Sequence, residues 1–441
     1  MRRVAASIAA VLVTVILAAA LPVYSQRPQT QAKAPPKKAA PAQDPLQQLL
    51  AQAEESLEKE NFADAAKQFE AYLAQRPDDS RAHFQLGYAY TALRDAEKAK
   101  THYQRAVELD PKLAAGYQNL GIILLEQNAR EAIAPLQKAV ELLPGQARPR
   151  FLLGMALEQS ERPDEALKSY TEAEQLDPRD FEVEWAMGRV LLTKKDYPDA
   201  EKHFRAALDL KSDTVPARLG LAESLLAQDK IDSATTEFLT YLAAKPDDFG
   251  VRLKVASLCV DQNKFQQALA ELEKLEGAKQ SLPQVYRLRA VIHQKQNRLT
   301  DAAQDLEKAV ALEPRDWELH AIRGRVLLEL RDFPAAEREF HATLQLKPDE
   351  VETLRNLVST LYLAENYPGA LQALEQLGRQ ETLSAGSWFV RATCYDKLHM
   401  PVEALAAYRK FVELDQGKSE KQDFQARQRI KAITLMLEKK K

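Results

Sequence analysis

The sequence predicts an all-α protein, a solenoid of about eleven helix-turn-helix repeats over residues 45–416 with a C-terminal capping helix over 417–441. Three observations carry that prediction. The chain is self-similar at 34 residues, so each unit adds length without needing a new core. Ala, Leu, Glu, Gln, Lys and Arg dominate, and glycine is scarce at 14 residues, a helix-forming composition. Runs of Val, Ile and Thr with period-two alternation are missing, which removes the signal for a sheet.

The N-terminus is different in kind. Met1-Arg2-Arg3 is basic, and Val4 to Ser25 is uncharged and mostly Ala, Val, Leu and Ile. Such a run is a secretory signal or a membrane anchor. Pro22 breaks it near its end, and Val23 and Ser25 stand at the usual −3 and −1 positions, so cleavage is expected after Ser25. The alternative is an uncleaved anchor over residues 4–25. Arg27, Lys33, Lys37 and Lys38 follow the run, so charge bias leaves the orientation of such an anchor open. No cysteine follows, which excludes a lipoprotein anchor. The location expected is periplasmic or secreted. Residues 26–44, rich in Pro, Ala, Gln and Lys, have little to bury and read as a disordered tether.

From Leu46 the repeats begin at Leu46, Ser80, Ala114, Ala147, Phe181, Val215, Phe249, Pro283, Trp317, Val351 and Ala385. Every interval is 34 except the third, which loses one residue near Asn128-Ala129-Arg130, in the turn between its helices. Position 20 is alanine in every repeat, from Ala65 and Ala99 to Ala370 and Ala404. Two helices joined by a short turn cross closely there, so only a small side chain fits. Position 8 is Gly or Ala in ten repeats, with Val358 the exception. Glycine within a helix costs up to about 1 kcal/mol, so Gly87, Gly121, Gly154, Gly188 and Gly324 at one phase imply packing. Position 24 is a large apolar knob, one turn beyond the alanine on the same face, as in Phe69, Tyr103, Tyr170, Phe204 and Phe340. Seven repeats then reach a proline, among them Pro77, Pro111 and Pro178, which stops the second helix. Asp79 and Asp180 follow as starts for the next.

This pattern resembles the tetratricopeptide repeat family, in a bacterial type with an N-terminal signal sequence. The resemblance covers Leu46 to about Gln416. It implies a right-handed superhelix whose first helices line a concave face. After the last repeat, Asp423 to Lys440 reads as one more helix, with Asp423 as its N-cap and Phe424, Ile430, Ile433 and Leu437 as its apolar stripe. A terminal repeat needs such a cover.

Chemistry is sparse. There is no phosphate-binding glycine loop, HExxH motif or GxSxG elbow. None of the seven histidines pairs with another histidine or a cysteine at metal-ligand spacing, so no metal and no cofactor is expected. His83 and His320 fall at position 4, a packing position. Cys259 and Cys394 lie four repeats apart. Helices pack about 8–10 Å from one another and a disulfide spans about 4.4–6.8 Å between Cα atoms, so both are read as free thiols. A net charge of −3 from mixed signs argues against nucleic acid as a partner. The repeats leave no room for a catalytic domain, so the chain is not expected to be an enzyme.

The expected function is protein–protein scaffolding in the cell envelope. The family resemblance implies that a protein or peptide segment binds the concave face, at positions 2, 5, 9 and 12 of the first helices. Positions 5 and 9 of the second, fourth and fifth repeats hold Phe84, Tyr88, Phe151, Met155, Trp185 and Arg189, which make up the candidate site. Aromatics and Met suit an apolar peptide. The same side chains could instead pack between helices. Some family members clamp a terminal carboxylate, but around Asn119 and Asn356 the flanking positions do not match. Alternative functions are a chaperone-like or assembly factor gripping extended clients, or a regulatory subunit of an enzyme complex.

Overall fold

A computed structural model describes residues 44–277 and 282–438. The predicted leader, residues 1–25, and nearly all of the tether lie outside the described residues. Asp44 is the exception: it belongs to the first helix, whose Leu46 N–H donates to its carboxylate at 3.1 Å. Among the described residues the regular elements are all helices, and none is long and apolar enough to cross a membrane.

The chain divides into two compact units, one running to Glu237 and one from Phe238. The first holds α1 (Pro45–Glu58), α2 (Phe62–Leu73), α3 (Ser80–Ala92), α4 (Ala96–Leu109), α5 (Ala114–Gln127), α6 (Ala129–Leu142), α7 (Ala147–Gln159), α8 (Pro163–Leu176), α9 (Phe181–Thr193), α10 (Tyr197–Leu210) and α11 (Val215–Ala227). The boundary falls within α12 (Ile231–Ala244). The second unit holds α13 (Phe249–Asp261), α14 (Phe265–Gly277), α15 (Pro283–Lys295), α16 (Leu299–Leu312), α17 (Trp317–Glu329), α18 (Phe333–Leu346), α19 (Val351–Leu363), α20 (Tyr367–Gln380), α21 (Ala385–Lys397), α22 (Pro401–Asp415) and α23 (Glu420–Glu438). Within each unit, odd and even helices pair off, and each pair packs on the next.

The phased residues explain the pairing. All eleven position-20 alanines are fully buried, and the position-24 knobs are at most 1 % exposed. Burying one such knob contributes roughly 1.5–3 kcal/mol. The position-8 glycines face these knobs directly. A methyl group added at Gly154 would sit 2.4 Å from the Tyr170 ring, and one at Gly324 would sit 2.6 Å from Phe340. The close approach expected from the sequence is therefore a large knob, an aromatic ring in four of the five cases, set directly against bare helix backbone.

The turn inside ten of the eleven pairs has one solution. Position 15 is left-handed at Glu60, Arg94, Glu161, Lys195, Asp229, Asn263, Asn297, Arg331, Glu365 and His399. The residue after it donates back across the helix end, as Asn61 N–H does to the Ser56 carbonyl at 2.8 Å and Asp95 N–H to Tyr90 at 2.9 Å. This is the Schellman closure, reached here without glycine. The residue missing from the third repeat is this left-handed one. There α5 runs one residue longer, and Asn128 both ends it and caps α6, accepting from Arg130 N–H at 3.2 Å. Asp79, Asp180, Asp248 and Asp316 cap the next first helices by accepting from backbone N–H groups one turn inside.

The last helix departs from expectation in two ways. It begins at Glu420, so Asp423 lies inside its first turn and pairs with Arg427 at 2.7 Å instead of capping. Phe424 is 68 % exposed, while Ala426 and Ile433 are buried and Ile430 and Leu437 pack at their edges. The buried stripe is therefore 426, 430, 433 and 437, one helical step away from Phe424. Arg429 Nε and Nη2 both donate to Asp396 at 2.6 Å, tying α23 to α21. Cys259 and Cys394 are free and buried, and burial pushes the Cys394 thiol up to about 11.

Candidate functional site

Residues four apart on a helix share a face. Positions 5 and 9 of α3, α5, α7, α9 and α11 therefore form a common kind of surface within the first unit. The structure splits the six candidates into two groups. Phe84, Tyr88, Trp185 and Arg189 are half-buried and reach solvent. Phe151 and Met155 are buried, 4 % and 9 % exposed, and join the core, with the Phe151 ring 5.8 Å from Tyr170. They are thus removed from the candidate contact surface. Neighbouring helices cover them, a depth that helical period alone does not report.

Each exposed pair has its own support. The Tyr88 ring meets Phe62 edge-on at 6.3 Å, and Phe84 tilts against Tyr103 at 5.7 Å. Beside Phe84 lies an open cleft of about 670 Å³, lined also by Tyr72, Arg76, Asp79, Arg81 and Leu113. The Arg189 guanidinium lies 4.6 Å from the Trp185 ring centre and donates to Glu158 at 2.6 Å. Glu158 also accepts from the Tyr170 hydroxyl at 2.9 Å. Burial, and then the charge of Glu158, hold the Tyr170 hydroxyl well above the ordinary tyrosine range, so it stays a donor. Arg189 is thus a neutralised, fixed cation that braces Trp185. Tyr103 plays the parallel part nearer the N-terminus, where its hydroxyl lies 3.1 Å from Thr91 and accepts from Asn119 at 3.3 Å. That bond occupies Asn119, one of the two asparagines considered for a carboxylate clamp.

Several groupings escape a reading by spacing. His83 and His102, 19 residues apart and so outside any metal-ligand spacing, meet through their Nδ1 atoms at 3.0 Å. Glu174, Glu184 and His203, on α8, α9 and α10, bring one donor atom each within 4.8 Å of one another. Phe62 and Glu158, which support Tyr88 and Arg189, lie outside the positions singled out in the sequence. A search at 19- and 31-residue separations, rather than within one helix, is the signal that would have found most of these pairs.

Tetratricopeptide repeat family models match residues 50–114, 253–316, 287–351 and 323–383, with further matches at 191–250 and 147–180, together more than half of the chain. The fold and phased residues define a helical-repeat scaffold of the protein-interaction class. The chain belongs to the tetratricopeptide repeat family. Among curated proteins it is similar to the TPR repeat-containing protein PA0015 of Pseudomonas aeruginosa, 41 % identical over 70 residues, which is 16 % of this chain and 61 % of that protein. It is also similar to anaphase-promoting complex subunit 3 of Schizosaccharomyces pombe, 31 % identical over 93 residues, or 21 % of this chain and 14 % of that one. The chain thus spans less than two thirds of either relative. Among solved structures, a tetratricopeptide repeat protein from Parabacteroides merdae superposes with a TM-score of 0.39 at 22 % identity, covering 53 % of this chain and 92 % of that one.

Proposed function

We propose that this chain is a non-catalytic scaffold of the cell envelope that binds an extended protein segment on the first-helix face of its first unit, through Phe84, Tyr88, Trp185 and Arg189. The observation that carries the reading is half-buried Phe84 beside an open cleft, with Tyr88 and Trp185 half-buried at the same helix positions over groups already fixed. Rigid aromatic anchors lose little conformational freedom on binding, which is why they dominate interface energetics. Envelope location rests on the uncharged run from Val4 to Ser25, and N-terminal sequencing of the mature protein tests it: an intact Met1 refutes cleavage. For the binding face, Tyr88→Ala and Trp185→Ala are each expected to weaken a purified partner by about 1–2 kcal/mol while thermal melting changes little. Unchanged affinity in both variants removes this face from the account.

A further inference from the structure

Four repeats carry the same polar rung between positions 4 and 23. His83 meets His102, Arg218 meets Glu237, Arg252 meets Glu271, and His320 meets Glu339. In each, the position-4 base also donates to the backbone carbonyl six residues earlier, at Pro77, Ser212, Pro246 or Pro314. Every carboxylate in these rungs meets an arginine, since Glu339 is also bonded to Arg323 at 2.7 Å.

The fifth repeat breaks this pattern in two independent ways. Its polarity is reversed: the acid Glu184 stands at position 4 and the base His203 at position 23, 2.7 Å apart. In addition, position 28 of the preceding repeat is Glu174, where eight other repeats place Leu or Val, among them Leu73, Val107, Leu208 and Leu344. Glu174 is half-buried and, among the described residues, takes no hydrogen bond or ion pair. Its carboxylate nevertheless lies within 4.8 Å of the donor atoms of Glu184 and His203. Glu184 is only 6 % exposed. Two carboxylates therefore share one imidazole in a poorly solvated corner, and among the described residues no lysine or arginine bonds to any of the three. Three donor atoms gathered in this way, without a cationic side chain between them, fit a bound cation.

We infer that Glu174, Glu184 and His203 bind one divalent cation of the zinc class, joining the second helix of the fourth repeat to both helices of the fifth. One imidazole nitrogen with two carboxylate oxygens suits Zn²⁺, at bond lengths of about 2.0–2.2 Å, with water completing a tetrahedral shell. Tetrahedral donors at that radius lie about 3.4 Å apart, so the three side chains close by a small rotamer adjustment. Ca²⁺, which takes six to eight oxygens, and Mg²⁺, which takes an octahedral shell, find too few donors here. This inference is independent of the proposed binding face.

The test is equilibrium dialysis of the purified full chain against Zn²⁺ with metal analysis, comparing the wild type with Glu174→Leu. That variant restores the residue type used by eight other repeats, so it is expected to keep or raise the metal-free melting temperature. The expected result is one Zn²⁺ per chain lost in the variant, with a zinc-dependent rise in melting temperature seen only in the wild type. His203→Gln should lose the same equivalent. Equal zinc content in wild type and Glu174→Leu overturns the site, and so does displacement of the bound zinc by equimolar Ca²⁺ or Mg²⁺.

Discussion

At the scale of single residues, two backbone positions make opposite predictions. Gly154 lies bare against the Tyr170 ring, so Gly154→Ala forces a clash at 2.4 Å. Overpacking costs about 1–3 kcal/mol, and the gain in helix propensity offsets up to about 1 kcal/mol of it. Urea denaturation is expected to show net destabilisation, with Gly145→Ala, whose added methyl meets nothing within 4 Å, as the neutral control. Lys195 is left-handed at φ 65°, so Lys195→Gly relieves strain and is expected to raise stability by about 0.5–1 kcal/mol. His102 predicts a pH response. Burial, and then His83, push it below the usual histidine range; Lys98 adds to this and Glu70 opposes it, while Tyr90 stacks on its ring. The unfolded chain then takes up the proton first. The contribution of His102 is complete above the unfolded pKa of about 6.5 and is lost as pH falls through the lower folded value. Stability measured from pH 8 to 5 should fall less steeply in His102→Gln. The phased alanines, glycines and knobs were legible in the sequence because each packs against its own repeat. The exposure of Phe151, Met155 and Phe424 was not legible, because it depends on how far a neighbouring helix covers them. Glu174 was invisible until aligned with the residues at its position in the other repeats.

At the scale of elements, the helix pair is the unit, and α23 is a half unit. Its Ala426 and Ile433 occupy the buried side, and Arg429 holds Asp396 as Arg189 holds Glu158. Tyr408, the last knob, reaches the same Asp396 at 3.3 Å, as Tyr170 reaches Glu158. A terminal helix docked in this way should resist hydrogen exchange across its buried positions. Ile433→Ala is expected to cost about 2–4 kcal/mol and to speed exchange throughout 420–438. A wild-type helix exchanging at the rate of an unfolded peptide contradicts the docking. The existence of this helix followed from its composition. Its start did not, because Ser419, just before Glu420, and Asp423 both have the chemistry of a cap and the sequence alone does not choose between them. In the third repeat the reverse held: the deletion was visible, and only the structure shows that the left-handed residue is the one omitted.

At the scale of the molecule, contacts run between neighbouring repeats, so stability is a sum of local terms and unfolding need not be all-or-none. The proposed interaction surface follows the same logic: recognition would be the sum of the few first-helix positions whose side chains reach solvent. The decisive question is whether the face that bears Tyr88 and Trp185 meets a protein. Site-specific photo-crosslinking from these two positions in living cells tests this most directly, with Lys168, an exposed residue on the second helix of the fourth repeat, as the control. The expected result is that one protein species is captured from both 88 and 185 and not from 168. Capture from 168 alone, or none from 88 and 185, contradicts it.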